Sequence, residues 1–334
     1  KTASRKIQAG QSLVVADVAD LMGATFQTAG LYIESDAPAA VTAWSMTKNR
    51  DGEEILTALP IAPGRPESPA TVLSHITVGG GYQADILLLH AGTEAARGML
   101  VMFDEYGKEI QSKAYALTHG TVSLWQPAAE GLIPRHHYIV VHPESGMAPV
   151  AASLVRRSDK GLITMTGAGT ANVLKRAQVP VNTMPDLLRH GRRTTFHLVI
   201  ANADRQGASV RFILRDLDGR EVDRVEQLFL PGMQRNFTLG GLFDMTKFSG
   251  SITIISDVPV AVSARQITIN VRGDEILTEI PVLQGPSQTQ VIFPYMDGGG
   301  LSTQLYIVSD DEIDINSQIE FFKTNGEQLE VILR

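Results

Sequence analysis

The chain has 334 residues, 43% hydrophobic and 19% charged, a balance typical of proteins that bury cores rather than of disordered chains. Its formal net charge of −7 argues against nucleic-acid or anionic-membrane partners, and the absence of cysteine excludes disulfides, thiol catalysis and cysteine-bound metal. No apolar run approaches the ~20 residues of a membrane span. Because the chain begins at Lys1 rather than Met, we expect a mature form or an excerpt of a longer protein.

Short β-rich runs separated by Gly, Pro, Asp and Asn recur along the whole chain, and long helical periodicity is nearly absent. This pattern predicts an all-β protein of antiparallel, Ig-like β-sandwiches. In the first segment, residues 1–64, we expect a short helical turn after Ser12 and then three strands. Asn49 to Gly52 is a predicted hairpin turn between the last two strands, with Gly52 supplying the positive φ.

Three further segments follow, separated by linkers rich in proline. Residues 60–71 hold the first such linker, and residues 72–180 then form a predicted sandwich, unit A. Residues 182–285 form a second sandwich, unit B, and residues 288–334 form a final half-length segment. In each of these three segments a turn containing glycine joins two hydrophobic strands, as a hairpin requires.

The strongest internal signal is a repeat. Residues 34–64 align without a gap with residues 255–285 at an offset of 221 (257 − 36), and fifteen of the 31 aligned positions are identical. A fainter copy lies between them, where Pro149 is 111 residues after Pro38 and 110 before Pro259. A period of about one third of the chain predicts three equivalent units.

The front halves of the units repeat as well. The turn glycine of unit A, Gly107, matches Gly219 in unit B and Gly326 in the final segment, and Gly120 of unit A matches Gly232 and Gly10. The chain therefore begins with the second half of a sandwich and ends with the first half of one. Joining Arg334 to Lys1 would restore a third unit, so we expect three sandwich equivalents, one of them split between the two terminal segments.

These motifs are similar to those of a known group of proteins. The run FPYMDGGGLSTQLYIV, the Asn-Gly hairpin that follows it, the SD-x-P-V-A-V turn and the closing ILT-x-x-P together resemble tandem β-sandwich repeats of large secreted bacterial surface proteins, acidobacteria-like and of unassigned role. The resemblance is strong at residues 289–334 and 255–285 and weak in the second half of unit A. It implies an extracellular or cell-surface Ig-like module and supplies no substrate.

A split sandwich poses a physical problem, because a half of ~45–65 residues cannot bury enough apolar surface alone and leaves strand edges open. Three solutions exist: the halves of neighbouring chains pair, the two halves of one chain close a triangle, or the chain is a window on a longer array. We favour the first, which predicts a head-to-tail homopolymer, a structural filament or stalk with no enzymatic activity and no cofactor. The apolar side chains predicted to face this joint are Ile7, Leu13, Val41, Ile55, Leu305, Ile307, Ile319, Phe321, Leu329, Val331 and Leu333.

The alternative function is a carbohydrate-binding or adhesive module. Trp44, Trp125 and the tyrosines could stack on a surface glycan, although aromatic residues make up only 6% of the chain. Trp44 aligns with Arg265 on the repeat, which favours a core position or a single exposed one for this side chain.

Two candidate metal sites are weak. In the HHYIVVH run, His136 and His142 share a strand face but lie ~20 Å apart at ~3.3 Å per residue, so surface histidines on a half-exposed strand are favoured. The alternating oxygens of residues 310–316 could bind Ca²⁺, but the spacing is not that of an EF-hand, and a solvated loop is favoured.

Glycine-rich motifs give no sign of a nucleotide site. The triple glycines at 79–81 and 298–300 precede strands rather than a helix, and the run at 167–172 lacks both a third glycine and a βαβ context. Turn or bulge positions are the expected role of these glycines.

Overall fold

The structure is a computed structural model that describes residues 4–8, 13–15, 17–23, 31–36, 41–48, 54–61, 71–90, 92–128, 131–144, 148–159, 162–183, 193–269, 273–283, 320–322 and 327–329. Antiparallel strands dominate these residues, which confirms the predicted all-β sandwich class. The two helices within this part of the chain have five residues each. Neither of them is long or apolar enough to cross a membrane.

The first segment contains a short helix and a hairpin. Helix α1 (Val18–Met22) begins after Asp17, whose carboxylate accepts a hydrogen bond from the Asp20 amide. Strands β1 (Trp44–Lys48) and β2 (Glu54–Ala58) pair antiparallel, with Trp44 opposite Ala58 and Lys48 opposite Glu54. The helix lies further along the chain than the turn expected directly after Ser12.

Unit A consists of two four-stranded antiparallel sheets. Its strands are β3 (Thr71–Val78), β4 (Tyr82–Leu89), β5 (Ala96–Phe103), β6 (Glu109–Leu117), β7 (Val122–Trp125), β8 (Arg135–Pro143), β9 (Val150–Asp159) and β10 (Leu162–Gly169). One sheet has the order β3-β8-β5-β6 and the other β10-β9-β4-β7. The core between them contains apolar side chains of both sheets, including Ile76, Ile86 and Leu100.

Unit B has the same architecture with one difference. Its elements are β11 (Asn172–Asn182), β12 (Arg193–Ala201), β13 (Ala208–Asp216), β14 (Glu221–Phe229), β15 (Gln234–Thr238), α2 (Leu239–Phe243), β16 (Ser249–Ile269) and β17 (Glu275–Ile280). The first part of β16 pairs with β11 and β13, and its second part pairs with β12 and β17. One strand of 21 residues thus serves both sheets of this sandwich.

The strand orders of the two units correspond one to one. The order β11-β16-β13-β14 matches β3-β8-β5-β6, and β17-β16-β12-β15 matches β10-β9-β4-β7. The first strand of unit B is therefore β11, which begins at Asn172 and lies within the residues that the sequence pattern assigned to the end of unit A. Each unit has its own core of buried apolar side chains.

The final segment is described only in part. Strands β18 (Phe321–Phe322) and β19 (Gln328–Leu329) pair antiparallel around the predicted turn at Gly326, which itself lies outside the described residues. The first segment is described in greater detail. Its β1–β2 pairing has the same register as the end of β16 with β17, because Trp44–Ala58 and Lys48–Glu54 lie 221 residues before Arg265–Glu279 and Ile269–Glu275 (265 − 44).

Candidate assembly interface

Units A and B meet through a turn of each unit. The tip of the β5–β6 hairpin, residues 104–107, lies against the β14–β15 turn, residues 230–233. The Gln234 amide donates to the Glu105 carbonyl (3.0 Å), and the Tyr138 hydroxyl donates to the Gly232 carbonyl (2.9 Å). A Cβ on Gly107 would lie 2.8 Å from the Gly232 oxygen, so this contact requires the bare backbone of glycine.

Beside the turns, small apolar side chains bring the sheets close together. Ala201 and Ala261 of unit B pack against apolar side chains of β3 and β8 in unit A. Tyr138 of β8 is buried in this cluster and stacks on Phe103, with the ring centroids 5.0 Å apart. Strand β8 is therefore buried on both faces, because Ile139 faces the core of unit A while Tyr138 faces unit B.

The hairpin formed by the end of β16 and β17 lays its outer face on unit A. Leu277 is buried within the core cluster of unit A although it belongs to unit B. Glu275 accepts a hydrogen bond from the Tyr82 hydroxyl (2.8 Å) and forms an ion pair with Arg157. One face of β17 thus carries both apolar and charged contacts to the neighbouring unit, and we call this surface the outer hairpin face.

Arg265 is the most deeply buried charged group of the junction. Its Nε donates to a Glu279 carboxylate oxygen (3.1 Å), and its Nη2 lies 3.4 Å from the His75 carbonyl oxygen of unit A. Burial raises the pKa of the Glu279 carboxyl, and the Arg265 guanidinium opposes this shift. Removal of one member of such a pair would leave the other charge without compensation in a place with little water.

Three histidines surround Arg265 at the junction. The rings of His75 and His136 meet edge to face with centroids 6.1 Å apart, and His197 Nδ1 lies 3.4 Å from the Asn236 amide oxygen. Burial lowers the pKa of His75 well below its ordinary value and that of His136 to about 4, and it also lowers the pKa of His197. These histidines are therefore neutral at pH 7, and the junction carries little positive charge beyond Arg265.

A polar cavity of about 170 Å³ lies between the units. Residues 167–171 of unit A and 279–282 of unit B form much of its wall, together with Ser74, His75 and Ser263. Ser74 Oγ, His75 Nδ1 and Ser263 Oγ have no hydrogen-bond partner among the described residues. The groups present do not form a nucleophile–base pair by any contact in the structure, so the cavity defines no reaction.

The first segment packs on unit A in a similar way. Thr57 Oγ1 donates to the Met165 carbonyl of β10 (3.3 Å), and the Thr57 side chain is buried. A Cβ on Gly167 would lie 2.5 Å from a Pro60 ring carbon, so the two chain segments are in close contact. The order of contacts is thus first segment, unit A, unit B.

Several apolar side chains of the first segment are exposed where their repeat counterparts are buried. At the offset of 221 residues, Leu31, Ile33 and Val41 correspond to Ile252, Ile254 and Val262. The three counterparts are buried in the core of unit B, whereas the three residues of the first segment are exposed. The hairpin of the first segment has the fold of its counterpart without the neighbours that cover it.

The residues predicted to face the split joint fall into three groups. Ile7, Leu13 and Val41 have exposed side chains, in agreement with an uncovered surface. Ile55, Phe321 and Leu329 are placed in paired strands by their backbone alone. The remaining five lie outside the described residues: Leu305, Ile307, Ile319, Val331 and Leu333.

Other residues of the interface carried no clear signal in the sequence. The HHYIVVH histidines were expected on a half-exposed strand, but His137 is buried and His136 lies at the junction. Arg265 and Glu279 are opposite each other in a predicted hairpin, and that spacing was the only available hint of their pairing. Trp44 is partly exposed, and the Ca²⁺ candidate at 310–316 lies outside the described residues.

Within the described ranges, no three His, Asp or Glu side chains converge in a way that could hold a metal ion. Comparison with known proteins gives no further assignment. No protein-family model matches the chain, and a search of curated proteins found none similar to it.

Proposed function

We propose that the protein is a structural subunit of an extracellular filament or surface stalk. Identical chains assemble head to tail, and the C-terminal half-sandwich of one chain completes the N-terminal half-sandwich of the next. No cofactor takes part in this role, and we propose no enzymatic activity.

The observation that carries the proposal is the uncovered surface of the first segment. Leu31, Ile33 and Val41 are exposed, although their counterparts in unit B are almost fully buried. In unit B those counterparts are covered by β11, β12 and β13. By the repeat, the equivalents of these three strands fall in residues 288–334, the half-sandwich at the opposite end of the chain.

The physical argument is the cost of leaving such a half uncovered. Full burial of one Leu, Ile or Val side chain contributes about 1.5–3 kcal/mol. Joining two half-cores would remove more than ~1,000 Å² from water, which is the range of stable protein–protein interfaces. A joint between a C-terminal and an N-terminal surface is heterologous, so it propagates as an open filament unless the rotation closes a ring.

The experiment is negative-stain electron microscopy of the purified chain together with its mass in solution by light scattering. Long thin filaments with a three-lobed repeat are the expected result. A compact monomer at all concentrations would contradict the proposal, because the two halves would then close within one chain.

The carbohydrate-binding alternative has weaker support. Tyr32, Trp44 and Tyr106 are exposed aromatic side chains, as a glycan platform requires. However, they belong to an extended segment, to β1 and to a hairpin tip of unit A, and no contact in the structure joins them into one surface. A glycan-array screen that gave specific binding, lost on Trp44→Ala, would favour this function.

A further inference from the structure

We infer that unit B of one chain binds the completed split unit at the head of the next chain with the geometry of the A–B junction. This inference rests on the proposed function and adds a second contact, separate from the joining of half-sandwiches. The partner is a second copy of this chain. The two surfaces involved are the β13–β14 tip of unit B and the outer hairpin face of the first segment.

The tip of unit B is prepared for the same contact as the tip of unit A. In unit A, Asp104 accepts hydrogen bonds from the amides of Tyr106 and Lys108; in unit B, Asp216 accepts from the equivalent amides of Asp218 and Arg220. The turn glycines also agree, with φ of +82° at Gly107 and +77° at Gly219. Both tips therefore have one conformation.

The two tips differ in what covers them. Gly107 lies against Gly232 of the next unit, whereas a Cβ on Gly219 would meet no atom within 4 Å. Leu217, at the position equivalent to Glu105, is 73% exposed. A hydrophobic side chain at an exposed turn is poorly placed for a free surface and well placed for a contact. The repeat assigns the receiving turn to Gly10, the counterpart of Gly232.

The second surface lies on the first segment. In unit B, the outer hairpin face presents Arg265, Ile267 and Leu277 to unit A, where Leu277 enters the core. The register of β1–β2 places Trp44 and Met46 at the positions of Arg265 and Ile267. Trp44 is 36% exposed and Met46 60% exposed, so the counterpart of a buried face is open here.

The two open surfaces are the complementary sides of one junction. In the A–B pair, the tip of the earlier unit contacts the turn of the later one, and the outer hairpin face of the later unit contacts the earlier one. A junction between unit B and the split unit would use the tip with Leu217 and the face with Trp44 and Met46. Because both surfaces are exposed in one chain, unit B does not cover its own first segment, and a second copy is the occupant.

The test uses full-length chains with single substitutions at exposed positions. Leu217→Asp and Met46→Asp each place a charge in the inferred junction, and we expect each to raise the critical concentration for polymerisation at least about tenfold. Leu228→Asp is the matched control, since Leu228 is 63% exposed on the same hairpin as Leu217 but away from its tip. This control is expected to polymerise like the unmodified chain, and circular dichroism checks that all variants fold.

Mixing the two variants tests the polarity of the contact. A Met46→Asp chain followed by a Leu217→Asp chain forms one unmodified junction, whereas the next junction carries both substitutions. An equimolar mixture should therefore stop at dimers in sedimentation-velocity analysis. If the unmodified chain and both variants polymerise alike, the inference is wrong while the proposed function stands. If the unmodified chain stays a monomer, the proposed function fails and the inference fails with it.

Discussion

Leu277 joins two units through one side chain. It belongs to β17 of unit B but is buried among the core side chains of unit A, with Ile267 packed beside it. Replacing a buried leucine by alanine usually costs about 2–5 kcal/mol, because the lost apolar contact is joined by a cavity. We expect Leu277→Ala to lower the free energy of unfolding by an amount in this range, measured by urea denaturation.

The neighbouring residue supplies the control for that measurement. Ile276 lies next to Leu277 in the same strand, but its side chain is exposed. Ile276→Ala should cost no more than about 1 kcal/mol, the span of β-propensity differences. Equal losses for the two variants would show that Leu277 is not a junction residue.

The turn glycines allow a second comparison at single positions. Alanine at Gly107 or at Gly219 must adopt a positive φ, which costs roughly 1–2 kcal/mol at either site. Only Gly107 also faces another backbone, at Gly232, so Gly107→Ala should be less stable than Gly219→Ala by a further ~1–3 kcal/mol. Thermal unfolding of the two variants at a concentration below polymerisation measures the difference, and equal melting temperatures would contradict the close contact.

At the scale of elements, the hairpins were the most predictable features. The gapless alignment of residues 34–64 with 255–285 predicts one register, and β1–β2 has the register of β16–β17 at every pair. Turn chemistry and hydrophobic alternation are local, so they can be read without knowledge of the neighbours.

The fainter copy in unit A shows where local patterns stop being sufficient. Ala151 and Val155 face the core of unit A, and the corresponding core positions of unit B are Val260 and Ala264, an offset of 109 rather than the 110 between the prolines. A shift of one residue exchanges the two faces of a strand. The shift accompanies the loop between β8 and β9, which unit B replaces by the continuous strand β16.

The junction histidines were not predictable because their burial comes from another unit. His136 and His137 follow one another on β8, and alternation alone assigns one to each face. Only the docking of unit B removes the second face from water. For the same reason the sequence contained no direct sign of Arg265 and His75 meeting across the junction.

The buried histidines predict that acid weakens the junction. The unfolded chain binds protons on histidine near pH 6.5, whereas folded His136 binds one only near pH 4. Between these values the unfolded state carries more protons, so stability falls as the pH falls, by at least about 2 kcal/mol from pH 7 to 4. Glu279 acts in the opposite direction just above pH 4.5, because its pKa is raised in the folded state. Urea denaturation across this pH range measures the sum.

Substitution separates the histidine contribution from that of the carboxylates. His136→Asn should flatten the fall in stability between pH 6.5 and 4, since it removes a group that is neutral in the folded state. His119→Gln is the matched control at an exposed histidine and should leave the slope unchanged. A slope that is unaltered by His136→Asn would assign the acid sensitivity to other groups.

At the scale of the whole molecule, one contact pattern recurs along the chain. The first segment contacts unit A through Thr57 and Pro60, and unit A contacts unit B through its tip and the outer hairpin face. Each contact joins different surfaces of consecutive units. Such contacts extend in one direction, and the half-sandwich at either end of the chain supplies the step from one chain to the next.

This polarity makes a prediction about truncated chains. A chain without residues 1–64 keeps the cores of units A and B and the C-terminal half-sandwich, so we expect it to fold and to remain monomeric. Added in small amounts to the full-length chain, it should bind the filament end that presents an N-terminal half and block further growth there. The mean filament length in electron micrographs should then fall as the fraction of truncated chain rises. Filaments formed by the truncated chain alone would contradict half-sandwich complementation, because that chain has no first half to receive its neighbour.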